Sequence, residues 1–121
     1  YHVFKNIVSL NPRVVVIEYN ATLPPPVKWV MTYDQCHTKT NTDYFGASLK
    51  SFEYLFQKKG YLLVGCNIIG VNAFFVRKDL IEEHFHSDCS SENHYEALKI
   101  WLIAGFGPGF GADFGPYEDN L

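Results

Sequence analysis

Cysteine is scarce in this sequence, and what there is lies in the wrong places for its usual structural uses. Cys36, Cys66 and Cys89 are three in number, far apart, and contain no C-x-x-C pair. That spacing provides neither a disulfide framework nor a zinc motif, and reduced thiols in a cytoplasmic protein are expected. Basic clusters are also missing. No run of Lys or Arg exceeds the pairs Lys58-Lys59 and Arg77-Lys78, and the formal net charge is -3. A nucleic-acid partner is therefore not expected, because phosphate binding needs a clustered cationic footprint. No apolar run approaches the roughly 20 residues of a membrane helix, and no basic-then-apolar leader opens these residues, so no membrane partner is expected either. The residues open at Tyr1 inside a helix-like pattern, with no strand and glycine-rich phosphate loop ahead of it. The expectation is the second half of a larger domain.

What the chain does have is apolar material: 47% of its 121 residues are hydrophobic and 17% aromatic, enough to build a core. Tyr1 to Leu10 places Val3, Phe4, Ile7 and Val8 at helical spacing until Asn11-Pro12 stops the pattern. Val14-Val15-Val16-Ile17 is an unbroken β-branched run, which predicts a strand buried on both faces of a sheet, with helices on both sides. Asn20 to Tyr44 reads as a long irregular loop around Pro24-Pro25-Pro26. From Phe45 or Ala47 to Lys59, Leu49, Phe52, Leu55 and Phe56 mark a helix, with Ser48 a candidate cap and Gly60 its C-terminal glycine. Tyr61–Asn67 and Asn72–Arg77 read as two strands of a hairpin across a turn containing Gly70. A short helix over 79–85 and another over 91–103 follow, the second with Tyr95, Leu98, Trp101 and Leu102 on one face. Beyond them Phe106, Phe110 and Phe114 recur among glycines, which predicts an arm that lies on another surface or moves.

The series Pro12 to Asn20, Tyr44 to Leu49, Lys59-Gly60-Tyr61, and Gly65-Cys66 through Val71 to Arg77 resembles the C-terminal half of FkbM-like S-adenosylmethionine-dependent methyltransferases. The likeness spans about residues 1–85. It implies an α/β fold: the C-terminal half of a Rossmann-like sheet, with a closing antiparallel hairpin flanked by helices. In that fold Val14 to Tyr19 would be the fifth strand, Tyr61 to Asn67 the sixth, and Asn72 to Arg77 the seventh, inserted antiparallel between the other two. Residues 1–104 would form this partial domain and residues 105–121 the Gly/Phe-rich arm. The cofactor implied is S-adenosylmethionine, with its pocket at strands outside these residues, and the reaction implied is O-methyl transfer to a small molecule or sugar. The resemblance places the acceptor side at the carboxyl end of the Val14 strand. Glu18 is the candidate base, and Tyr19, Asn20 and Asn72 are candidates for substrate binding. For Glu18 the alternative is a cap or a pair with Arg13 or Arg77; for Asn72 it is satisfaction of turn backbone groups.

Other groupings carry less chemistry. His84, His86, Cys89 and His94 are ligand-type residues in a short span, but their spacing matches no metal motif, and no metal is expected. Asp34-Gln35-Cys36-His37 could pair a thiolate with an imidazole, although adjacent residues seldom face each other and no third group orients them. Asn20-Ala21-Thr22 is a sequon that matters only in a secreted protein. A second function class stays open beside the enzyme. A non-catalytic binding or assembly module could use the half-fold and the Phe-Gly arm to hold a partner, and the exposed edge of the Val14 strand would favour a homo-oligomer.

Overall fold

The computed structural model of the protein describes residues 1–99 and 113–119. The elements, in order, are α1 (His2–Asn6), β1 (Val14–Glu18), β2 (Val30–Met31), α2 (Leu49–Lys58), β3 (Tyr61–Cys66), β4 (Asn72–Arg77), a single 3-10 turn at Lys78–Leu80, α3 (Ser91–His94) and β5 (Tyr117–Glu118). Two sheets result, one of three strands ordered β1-β4-β3 and one of two strands pairing β2 with β5. The protein is a mixed α/β structure.

β4 runs antiparallel to both of its neighbours, with Val15 opposite Phe75 and Leu63 opposite Phe75. β1 and β3 are therefore parallel to each other, separated by β4 and joined through α2. The hairpin turn is closed by Asn67, whose side-chain oxygen accepts from the backbone N–H of Val71 at 2.9 Å and of Asn72 at 2.8 Å. Gly70 takes φ +72° in this turn, and a Cβ there would run into the carbonyl of Ala97. Glycine is required both for the left-handed backbone and for that close approach.

α2 forms within the span its sequence predicts, starting at Leu49 rather than at Phe45 or Ala47. Ser48 caps it by accepting from the Ser51 N–H, and Leu49, Phe52, Leu55 and Phe56 turn inward. Phe56 is the centre of the core, with ring centroids 4.5 Å from Phe75, 5.4 Å from Phe4 and 6.2 Å from both Phe52 and Tyr61. Close aromatic packing of this kind adds to the area term that drives burial.

Four expectations are corrected. The β1 strand is covered on one face only: Val15 is 6% exposed, whereas Val14 and Val16 are 50% and 53% exposed on the opposite face. A β-branched run signals strand, but it does not report how many layers cover that strand. The first helix ends at Asn6, because Lys59 donates to the carbonyl of Ile7 and the Tyr61 hydroxyl to those of Leu10 and Pro12, drawing the segment out as extended chain. No helix forms over 79–85, where the Arg77 guanidinium forks onto Asp79 and only one 3-10 turn follows, a segment too short to nucleate alone. The helix expected over 91–103 leaves helical geometry at Tyr95, ψ 130°. There the Tyr95 hydroxyl bonds to the carbonyl of Ala21 and the Lys99 N–H to that of Ile69, so tertiary bonds replace the next helical ones. Trp101, Leu102 and the glycine-rich stretch with Phe106 and Phe110 lie outside the described residues.

The segment between β1 and α2 is more organised than a loop, since Trp29 and Val30 are buried and β2 lies within it. β5 returns to pair with it, Met31 opposite Tyr117, while Tyr117 stacks on Trp29 and the Tyr44 hydroxyl donates to the Pro116 carbonyl at 2.9 Å. Residues 113–119 thus pack on their own chain.

Candidate functional site

The carboxyl end of β1 and the amino end of β4 lie side by side, and strand alternation distributes the candidate residues between opposite sides of the sheet. Glu18 points outward with Val14 and Val16 and is exposed; Tyr19 points inward and is 2% exposed. Glu18 is the register partner of Asn72. Among the described residues, no hydrogen bond or ion pair engages the Glu18 carboxylate or the Asn72 amide. Arg77, offered by the sequence as a partner for Glu18, instead binds Asp79 and Asn11. The turn-closing role considered for Asn72 belongs to Asn67.

Asn20 has a different task from the one its position suggested. It is 0% exposed, and its amide donates to the carbonyls of Asp43 at 2.7 Å and Phe45 at 3.1 Å. Its side-chain oxygen accepts from the N–H and the hydroxyl of Thr22. With both amide protons and the oxygen engaged, Asn20 has nothing left for a substrate; it ties the start of the β1–α2 connection to its end. The same burial removes it as an acceptor for a glycan. The signal available in the sequence was its position in an Asn-x-Thr turn, which favours local side-chain bonding.

Tyr19 forms the floor. Its hydroxyl donates to the Glu96 carbonyl at 2.6 Å, and burial raises its pKa, with Cys66 beside it acting in the same direction. Burial likewise pushes the Cys66 thiol up to about 11. Neither group is a base or nucleophile at neutral pH.

A cavity of about 130 Å³ opens at this end of the sheet. Glu18, Tyr19, Lys39, Phe45, Val71 and Leu98 are among its lining residues. Lys39, which sequence reasoning passed over, is held beside it with its ammonium 5.3 Å from the Phe45 ring centroid. It was illegible beforehand because a lone cation in a polar loop carries no pattern. The segment 95–99 forms one side of the cavity through Leu98, anchored by the bonds of Tyr95 and Lys99 and by an ion pair between Lys99 and Glu96.

Asp34 closes a local turn by accepting from the Cys36 N–H at 2.8 Å, and His37 meets the Tyr44 ring edge-on, so no thiolate-imidazole pair forms. His86 and His94 face each other with ring centroids 6.3 Å apart, but no group of three metal-ligating residues exists among those described. Cys36, Cys66 and Cys89 are free thiols. Among the described residues no helix is long and apolar enough to cross a membrane. The described residues also do not fit S-adenosylmethionine: neither β1 nor β3 runs through a glycine-rich turn into a helix, the arrangement that would admit the cofactor's backbone contacts. Comparison with protein families, curated proteins and solved structures returned no match.

Proposed function

We propose that this chain is the acceptor-binding, C-terminal part of an S-adenosylmethionine-dependent O-methyltransferase of FkbM-like type. The observation that carries the reading is the strand order β1-β4-β3, with β4 antiparallel between two parallel strands. That is the order the sequence resemblance implies for the fifth, seventh and sixth strands of the methyltransferase sheet. The cofactor would be held by residues outside this chain. Within the chain, the role left is on the acceptor side: the Glu18 carboxylate accepts a hydrogen bond from an acceptor hydroxyl and takes its proton, and Asn72 across the strand pair orients the same group. An exposed carboxylate without a partner among the described residues, at a strand end in an open sheet, supports this role.

The edge of β1 facing away from β4 supports the reading too. Odd-numbered residues bond toward β4, as the Tyr19 N–H to the Val71 carbonyl shows, so the backbone groups of Val14, Val16 and Glu18 point away from it. In a complete sheet the next strand would pair there. The same edge, with Val14 and Val16 exposed, favours a second reading: an assembly module that pairs this edge with another chain, with a homo-oligomer as the simplest form.

Calorimetric titration separates the two. S-adenosylmethionine is expected to give no saturable heat with these 121 residues and a saturable one with a polypeptide extended upstream by its native sequence. Absence of binding to the extended polypeptide, together with a stable dimer of the present chain by light scattering, would replace the enzyme with the assembly module.

A further inference from the structure

The one-turn helix α3 carries a group that the site above does not use. We propose that His94 is the catch of an acid-operated latch: uncharged, it keeps α3 seated and residues 95–99 closed over the hairpin turn and the end of β1, and on taking a proton it releases that segment.

The catch rests on the surroundings of one nitrogen. His94 Nε2 is enclosed and has no hydrogen-bond partner. A neutral imidazole tolerates this, because Nε2 can be its unprotonated nitrogen; an imidazolium carries a proton there that needs an acceptor. The His86 ring stands edge-on with its centroid 6.3 Å away, so positive charge on both rings would repel. Asp88 faces His94 as well, but its Oδ1 already accepts from the Ser90 N–H at 3.0 Å. His84 pairs with Glu82 at 3.4 Å. From α2, Glu53 accepts from the Ser91 N–H at 2.9 Å while Lys50 bridges Glu53 and Glu92, so these charges are matched among themselves at the start of α3. From β3, the Tyr61 hydroxyl is bonded to Leu10 and Pro12, and the Cys66 thiol is protonated at neutral pH. Burial lowers the His94 pKa from its ordinary 6.5, and His86 acts in the same direction, with Asp88 opposing both.

What the catch holds is a short span. α3 has four residues and cannot persist as a helix alone. Beyond it the segment is tied by the Tyr95 hydroxyl to the Ala21 carbonyl, by the Tyr19 hydroxyl to the Glu96 carbonyl, and by the Lys99 N–H to the Ile69 carbonyl. Local units of this kind open without global unfolding. Opening frees the Tyr19 hydroxyl and uncovers Gly70, against which the Ala97 carbonyl now packs too closely for a Cβ. Because the closed state binds the His94 proton less well than the open one, closure is complete above the ordinary histidine pKa and weakens as the pH falls below it. The end of β1 is thus covered at neutral pH and presented in acid, whatever reaction occurs there.

The test is amide hydrogen exchange of the full chain by NMR at about pH 7 and about pH 5, each rate divided by its intrinsic value. Protection of the Tyr95 and Lys99 amides is expected to fall about threefold or more in acid, while that of Leu55 and Phe56 in α2 stays level. His94→Phe, which keeps a ring but takes no proton, should abolish the fall; His86→Gln should leave most of it. In the unaltered chain the fall should share its midpoint with the titration of the His94 ring protons, a readout that does not depend on any variant folding. Protection indifferent to pH, a fall that persists in His94→Phe, a midpoint that departs from the His94 titration, or an equal fall in α2 would each overturn the proposal.

Discussion

The two faces of the three-stranded sheet are made from the same strands and nearly the same residue types, yet along β1 one face is buried and the other is half exposed. On one face Val15, Phe75 and Leu63 lie under α2 and its aromatic cluster. On the other, Val14 and Val16 stand half exposed, and Glu18 and Asn72 sit at the end of the same row. Alternation along β1 thus buries one set of side chains under α2 and leaves the next set, one residue away, exposed. The comparison teaches that hydrophobicity alone does not identify a core position; the neighbouring layer does.

Substitutions should separate the faces. Phe56→Ala removes the ring at the centre of the buried face and is expected to destabilise by about 3 to 5 kcal/mol, read as a lower urea midpoint with unchanged slope. A loss under 1 kcal/mol would mean that α2 is not the layer holding that face. An alkaline series probes the same interior more gently. The Cys66 thiol is raised to about 11 in the fold from an ordinary 9.0, and the Tyr19 phenol is raised as well. The folded protein therefore holds protons that the unfolded chain releases first. This contribution to stability is complete below pH 9 and falls as the pH rises toward 11. The urea midpoint should decline over that window, and Cys66→Ala should flatten part of the decline. The smallest effect belongs to the open face: Val16→Thr should change stability by no more than about 0.5 kcal/mol, since it removes no buried contact. A larger loss in urea would show that this face is covered in solution, and a concentration-dependent midpoint would identify a second copy as the cover.

Much of the local structure was legible. Ser48 and the 49, 52, 55, 56 spacing announced α2, and the two apolar runs around Gly70 announced the hairpin, because caps, periodicity and turn chemistry act over a few residues. The candidate site was legible only in part. Glu18 and Asn72 are register partners across β1 and β4, but Asn20 is a buried tie and Lys39 reaches the cavity from far along the loop. Such placements depend on where a long connection returns, and no short-range pattern encodes that.

By itself, then, the sequence determined the existence and type of α2, β3 and β4 and the strand character of Val14 to Ile17, all consequences of local geometry and composition. The tertiary structure decided that only one face of β1 is covered and that the chain leaves helical geometry at Tyr95 to bind the hairpin turn. The physical reason is the same in each case. These outcomes depend on contacts between residues tens of positions apart, whose energies outweigh local preference only once the layers have met.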